Sequence, residues 1–159
     1  MSWWDRHAGM MYLALLADVE EIVAGAGGRD DKLDEFCALL QESVPHYQWV
    51  GFYLADEEKR ELALDAYRGE PTCHVCIAYG RGVCGRAAEA RAAVVIEDVS
   101  QEANYLACSG KVKSEAVVPV LKDGRLAAVL DIDSHTAAAF SKDDVAFLER
   151  AAAMVARVF

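Results

Sequence analysis

The strongest structural signal in this chain is a β-hairpin in its second half. Two apolar runs, residues 115–121 and 126–134, flank a polar segment that reads Lys-Asp-Gly-Arg at 122–125. An Asp-Gly pair between two such runs is typical of the tight turn that joins antiparallel strands. The sheet of this protein is therefore expected to contain antiparallel neighbours, which excludes an all-parallel architecture.

Helical periodicity marks both ends of the chain, and strand-like runs lie between them. The predicted elements are helices over 13–23 and from about 32 to 44, strands at 47–54, 61–67 and 74–79, a short helix at 83–90, a strand at 93–96, the hairpin, and a last helix after an N-cap at Ser141. Cys37 lies on the apolar stripe of the second helix, so we expect it in the core. The order of elements predicts an α+β fold with a largely antiparallel sheet, and residues 1–159 are expected to form one domain.

Composition narrows the function classes. With 159 residues, of which 54% are apolar, the chain can bury a substantial core without disulfides. Its net charge of -10 would repel a phosphate backbone, which argues against nucleic-acid binding. The apolar run at 10–17 is too short for a membrane span and has no basic segment before it. We therefore expect a cytoplasmic protein whose five cysteines are reduced thiols.

The segment Gly80-Arg81-Gly82-Val83-Cys84-Gly85 fits the glycine pattern of dinucleotide-binding sites. The helix that follows is too short for a crossover between parallel strands, and the next elements form a hairpin, so we interpret the glycines as a turn that leads into a helix. Free backbone N–H groups at such a helix start are expected to stabilise a thiolate at Cys84 or an incoming oxyanion.

Two further groups of cysteines suggest redox chemistry. Cys73 and Cys76 form a CxxC pair, which fits either a zinc site completed by Cys84 and Cys108 or a redox pair. If both lie in the strand predicted at 74–79 or at its edge, they project from opposite faces, which disfavours zinc. Cys108 lies in the long polar segment 98–113, where small neighbours leave it accessible and nearby lysines favour its thiolate.

Alternating carboxylates and paired aromatics define two further candidate sites. Asp131 and Asp133 project from one face of the predicted strand, about 7 Å apart at their roots. They form either a solvent-facing edge or the floor of a pocket, where crowding would keep one of them protonated as a general acid. A Mg²⁺ or Ca²⁺ site is a weaker alternative. Trp49 and Tyr53 share a face with Gly51 between them, and they form either core or the wall of an apolar pocket.

Four segments carry a resemblance to a known family. They read Trp49-Val50-Gly51-Phe52-Tyr53, Gly80-Arg81-Gly82-Val83-Cys84-Gly85, Ala107-Cys108 followed by Ser114-Glu115, and Leu130-Asp131-Ile132-Asp133-Ser134. Together they closely resemble the free methionine-(R)-sulfoxide reductases, which are enzymes built on a GAF domain. The resemblance implies a GAF-like α+β fold, with a central six-stranded, mainly antiparallel sheet flanked by helices. It also implies a homodimer that reduces free methionine-(R)-sulfoxide with thioredoxin as reductant.

The same resemblance implies a role for each candidate residue. Cys108 would be the nucleophile, and Cys73 or Cys84 would resolve its sulfenic acid to a disulfide. Glu115, Asp131 and Asp133 would bind the ammonium group and the sulfoxide oxygen of the substrate, and one of these acids, which the sequence does not identify, would donate a proton. Trp49 and Tyr53 would surround the methyl group. No metal ion or other cofactor is implied.

The chain departs from the family pattern at three points. Cys73 lies one residue further from Cys84 than in the family, Cys76 is an extra thiol that offers an alternative resolving group, and segment 104–107 reads Asn-Tyr-Leu-Ala where the family usually has Gly-His-Ile-Ala. Two other functions compete with the enzyme. One is a GAF sensor that binds a small molecule without turnover, and the other is a redox sensor that forms the same disulfide without a substrate.

Overall fold

The computed structural model of the chain describes residues 3–107 and 109–159. Within these residues, helices and strands follow the predicted order. The elements are α1 (Trp3–Ala24), α2 (Arg29–Ser43), β1 (Trp49–Asp56), β2 (Glu61–Arg68), β3 (Cys76–Ala78), α3 (Gly82–Ala90), β4 (Val94–Ile96), β5 (Ser114–Lys122), β6 (Arg125–Ser134) and α4 (Lys142–Val155). Short 3₁₀ turns lie at Val99–Gln101, after β4, and at Ala156–Val158, after α4. No helix of this described part is long and apolar enough to cross a membrane.

The six strands form one sheet in the order β3-β2-β1-β6-β5-β4. Every pairing of strands in the described residues is antiparallel, as the hairpin predicted. That hairpin closes at the pair Lys122 and Arg125, and Asp123 and Gly124 take the positive φ angles that its turn requires. Because the sheet has no parallel pair in this part of the chain, the glycine motif at 80–85 does not belong to a parallel βαβ unit. It forms a turn into α3, as predicted.

One face of the sheet carries the main core. Val50 and Phe52 of β1 and Leu130 and Ile132 of β6 are fully buried there, in one cluster with apolar residues of α1, α2 and α4. Cys37 is also fully buried in this cluster, which confirms its predicted place, and burial raises the pKa of its thiol. Since neighbouring strand residues face opposite ways, packing of this face directs the intervening residues to the other face.

Asp144 links the first and last helices to the segment that precedes β1. It closes the capping box of α4 with Ser141, which confirms the predicted N-cap. Its carboxylate also accepts hydrogen bonds from the Tyr12 and Tyr47 hydroxyls and contacts His46 Nε2 at 2.7 Å. Although burial raises the pKa of Asp144, the hydrogen bonds from His46 and Ser141 bring it below its ordinary value. The carboxylate is therefore ionised and holds three segments together.

Several predicted boundaries were wrong, and the largest difference is at α1, which begins at Trp3 rather than near residue 13. Helix α2 begins at Arg29 rather than near residue 32, and β1 begins at Trp49 because Tyr47 closes a turn onto the Val44 carbonyl. The strand predicted at 74–79 covers only Cys76–Ala78. The His74 N–H bonds Thr72 Oγ1 and the His74 carbonyl accepts from the Tyr53 hydroxyl, so neither group is available to pair with β2. Cys73 consequently lies outside any strand, and the argument that strand faces separate it from Cys76 does not apply.

Candidate functional site

A cavity of about 90 Å³ lies on the face of the sheet opposite the main core. The sheet forms its floor, the start of α3 forms one wall, and residues around 70–74, at 105–106 and at 109–112 close it from above. A single buried water needs only about 10–15 Å³ by the same kind of measure. The cavity therefore has room for a small molecule.

Three carboxyl groups form the floor of this cavity. The alternation along β6 directs Asp131 and Asp133 into it, and Glu115 of β5 pairs directly with Asp133 across the ladder. Glu115 and Asp131 are 6% and 5% exposed. The predicted sharing of one strand face by the two aspartates is therefore correct, and that face is a pocket floor rather than a solvent-facing edge.

Burial is the main reason that the carboxyl groups of this floor have raised pKa values. It raises the pKa of Glu115, Asp131 and Asp133 above their ordinary values, and the charge of Asp131 raises the pKa of its two neighbours further. Hydrogen bonds from Glu115 and Cys84 partly offset this effect at Asp131. Asp131 is thus the group best able to carry a negative charge, and the raised pKa of Glu115 favours its protonated form.

Two oxygens of the floor lack partners. Asp131 Oδ1 and Asp133 Oδ1 are buried and accept no hydrogen bond from any described residue. A buried acceptor without a donor costs free energy, so these oxygens suit a ligand that brings N–H or O–H groups, such as an ammonium ion.

The carboxyl floor also contains the donor set for a possible metal ion. Cys84 Sγ and one oxygen each from Glu115 and Asp131 lie within 4.8 Å of one another. A metal ion would require the Cys84 thiolate, whereas the pKa of this thiol is raised well above its ordinary value. Burial of this thiol opposes formation of its thiolate, which makes the donor set a poor match to a metal ion.

We expect the folded protein to lose stability as the pH rises from about 5 to 8. Carboxyls with raised pKa values keep protons in the folded state that the unfolded chain has released, so the free energy of unfolding falls with rising pH. Asp133→Asn removes one such group, and its Tm should exceed that of the wild type by about 2–4 °C at the upper end of this range and by less at the lower end. Thermal unfolding followed by circular dichroism measures both trends. Glu58→Gln, which changes an exposed acid, is the matched control, and a wild type that gains stability with pH would contradict the expectation.

Two aromatic rings form the apolar side of the cavity. Trp49 and Tyr53 lie with ring centroids 6.3 Å apart, and Trp49 Nε1 donates to the Glu70 carbonyl at 3.0 Å. Gly51 lies between them because a Cβ at this position would collide with the Trp49 ring and come within 2.8 Å of Tyr67 Cβ. Both rings are buried in the apolar cluster on this face of the sheet and also line the cavity, so the two predicted roles, core and pocket wall, both apply to them.

Cys84 lies at the start of α3, where it is 3% exposed and lines the cavity. Burial, and then the charges of Asp131 and Glu115, raise the pKa of its thiol. The expectation that the glycine turn stabilises a Cys84 thiolate is therefore wrong. The N–H groups of Gly80, Arg81 and Gly82 are already bonded, to the Gly85 and Ala78 carbonyls and to Asn104 Oδ1.

The remaining cysteines differ in their state. Cys73 is exposed and disulfide-bonded, whereas Cys37, Cys76 and Cys84 are free thiols. The expectation of five reduced thiols is therefore wrong for Cys73. Cys108, the expected nucleophile, lies outside the described residues, but Leu106 and Ser109 on either side of it line the cavity. The ammonium group of Lys111, expected to favour a Cys108 thiolate, forms an ion pair with Glu70 instead.

The cavity also contains residues that the sequence argument did not single out as site residues. His74 and Tyr105 line it, as do Glu70, Arg81 and His135 nearer its mouth. Burial, followed by the charge of Glu115, raises the pKa of Tyr105. The position of His74 next to Cys73 could have identified it as a candidate site residue. No local sequence pattern identified Tyr105, because its burial depends on contacts with distant parts of the chain.

Comparisons with known proteins agree with this geometry. Residues 28–159 match the GAF domain family. Free methionine-R-sulfoxide reductase of Escherichia coli is 33% identical to this chain over 147 residues, which are 92% of this chain and 87% of that protein. The chain belongs to the GAF-domain family of free methionine-R-sulfoxide reductases. Its predicted fold class, with the six-stranded antiparallel sheet, is thereby confirmed.

Other relatives extend the match across the fold. A crystal structure of free methionine-R-sulfoxide reductase from Neisseria meningitidis, in complex with its substrate, superposes with a TM-score of 0.89. It is 36% identical, and the match covers 95% of this chain and 89% of that chain. Protein YtsP of Bacillus subtilis is 37% identical over 137 residues, which are 86% of this chain and 83% of that protein.

Asn104, in the segment that precedes Cys108, braces the glycine turn. Asn104 Oδ1 accepts from the Gly82 N–H at 3.0 Å, and Asn104 Nδ2 donates to the Gly80 carbonyl at 2.9 Å. The next residue, Tyr105, lines the cavity. Cys73 precedes β3, so strand alternation does not determine the direction of its sulfur.

Proposed function

We propose that this protein reduces free methionine-(R)-sulfoxide to methionine. The observation that carries the proposal is the cavity itself, which combines a floor of three carboxyls with an aromatic wall and is lined by Leu106 and Ser109 on either side of Cys108. Relatives named as free methionine-R-sulfoxide reductases, one of them solved with its substrate, support the same activity.

In the proposed complex, the substrate binds by its two chemically different ends. Its ammonium group takes the unpartnered oxygens of Asp131 and Asp133, where attraction to the Asp131 carboxylate offsets the cost of burial. Its S-methyl group packs against Trp49 and Tyr53. A peptide-bound methionine sulfoxide has an amide in place of the ammonium group, so it would leave the carboxyl floor without its cation.

The first chemical step transfers oxygen from the substrate to the enzyme. The Cys108 thiolate attacks the sulfoxide sulfur while a protonated carboxyl, which we assign to Glu115, gives its proton to the sulfoxide oxygen. The S–O bond of the substrate breaks, methionine leaves as the thioether, and Cys108 becomes a sulfenic acid. Sulfur of the substrate is reduced by two electrons, and sulfur of Cys108 is oxidised by two.

The second step forms a disulfide between Cys108 and Cys73 and releases the oxygen as water. We propose Cys73 as the resolving thiol because it is exposed and is a disulfide-forming residue in this structure. Cys84 is a poorer choice because its raised pKa leaves little thiolate. An external dithiol, proposed to be thioredoxin, then returns both cysteines to thiols, and the working unit is proposed to be a homodimer.

The experiment that tests the activity is a coupled assay with thioredoxin, thioredoxin reductase and NADPH. We expect NADPH oxidation with free methionine-(R)-sulfoxide and none above background with the (S) epimer or with N-acetyl-methionine-(R)-sulfoxide amide. Dithiothreitol in place of thioredoxin tests whether a failure lies in the recycling partner. Absence of methionine formation under both reductants would reject the enzyme and leave the sensor alternatives.

A further inference from the structure

His74 presents an unused hydrogen-bonding atom to the cavity. Its Nε2 is buried and has no hydrogen-bond partner among the described residues, although the ring lines the cavity. Buried polar atoms of native proteins nearly always have a partner, which can be a ligand. The atom therefore points to a ligand group that the protein itself does not provide.

The backbone of His74 is fixed on both sides. Its N–H donates to Thr72 Oγ1 at 3.2 Å, and its carbonyl accepts from the Tyr53 hydroxyl at 3.0 Å. The second bond fastens the residue to the aromatic wall, and Cys73 immediately precedes it in the chain. His74 therefore lies at the end of the cavity where the proposed methyl pocket and the proposed resolving thiol come together.

The polarity of this end differs from that of the floor. The other unpartnered buried atoms that line the cavity are carboxyl oxygens of Asp131 and Asp133, which suit a donor such as an ammonium group. An imidazole Nε2–H is a donor and suits an oxygen acceptor. A methionine sulfoxide offers two such acceptors, its carboxylate and its sulfoxide oxygen, and the oxygen lies on the sulfur that carries the methyl group.

We infer that His74 donates a hydrogen bond from Nε2 to the sulfoxide oxygen of the bound substrate. This inference rests on the proposed function and names a substrate-contacting residue for it. A donor at this atom distinguishes the sulfoxide from methionine, the product, which has a bare thioether sulfur. It also holds the oxygen in place while Glu115 delivers the proton.

The test compares two ligands that differ by this one oxygen. In a Cys108→Ser protein, which cannot turn over, calorimetry gives the affinity for methionine-(R)-sulfoxide and for methionine. His74→Phe keeps a flat ring but removes the donor, and we expect it to weaken sulfoxide binding about tenfold. Methionine binding should stay within about twofold, because the product makes no use of this donor. His74→Gln, whose amide nitrogen lies near the Nε2 position, should restore most of the sulfoxide affinity.

The alternative outcomes separate this inference from the proposed function. An equal loss for both ligands would mean that His74 binds the carboxylate or only packs, and an unchanged sulfoxide affinity would mean that it makes no contact; either result overturns the inference alone. If the Cys108→Ser protein binds neither ligand, the proposed function fails with it. If His74→Phe does not fold, His74→Gln and His74→Asn provide the same contrast, since the shorter amide cannot reach the Nε2 position.

Discussion

Replacement of Cys108 by serine is expected to abolish turnover of free methionine-(R)-sulfoxide, with a loss in kcat/KM of at least about 10³-fold. A serine hydroxyl is not ionised near neutral pH, and it cannot become a sulfenic acid or enter a disulfide. The matched control is Cys76→Ser, which removes an exposed free thiol on the edge strand β3 and should keep most of the activity. The coupled thioredoxin assay measures both variants.

Measurements on a Cys73 variant test which cysteine forms the disulfide with Cys108 in the second step. Cys73→Ser should release methionine in a single turnover and then stop, with Cys108 held as a sulfenic acid that dimedone labels and mass spectrometry detects. Undiminished turnover by Cys108→Ser would remove the proposed nucleophile. Continued cycling by Cys73→Ser, combined with loss of cycling in Cys84→Ser or Cys76→Ser, would transfer the resolving role to that other cysteine.

Replacement of Glu115 by glutamine is expected to lower kcat by about 10²–10³-fold while the substrate still binds. Glutamine has nearly the same shape and can still donate a hydrogen bond to Asp131, but it has no proton to give to the departing oxygen. Because the acid must be protonated, wild-type kcat should fall as the pH rises through the raised pKa of Glu115. This descending limb should be missing in the variant.

A control variant and a variant of Asp133 test whether Glu115 is the proton donor. Glu97→Gln changes an exposed acid at the end of β4, and we expect it to leave kcat unchanged. If Glu115→Gln keeps its kcat and Asp133→Asn loses it, Asp133 is the proton donor instead. Thermal unfolding should show that Glu115→Gln is at least as stable as the wild type, since a buried carboxyl with a raised pKa does not favour the folded state at neutral pH.

Local patterns of the sequence predicted the parts of the fold that depend on near neighbours. The Asp-Gly turn at 123–124, the Ser141 cap and the alternation around Asp131 were all correct, because turn angles, capping and strand faces are set within a few residues. The four motif segments also identified the family. Prediction of the strand at 74–79 was wrong at its start because His74 bonds to Thr72 and Tyr53 instead of β2.

The chemistry of the site depended on contacts between distant segments. The sequence by itself determined that the two aspartates of β6 share a face and that Cys108 lies in a long polar segment. The family resemblance grouped Glu115 with those aspartates. Only the tertiary structure decided that Cys84 is a buried thiol with a raised pKa and that His74 Nε2 is left without a partner in the described chain. The physical reason is that burial and electrostatic interactions depend on which surfaces pack together. The sequence of a strand does not show which distant segment will cover it.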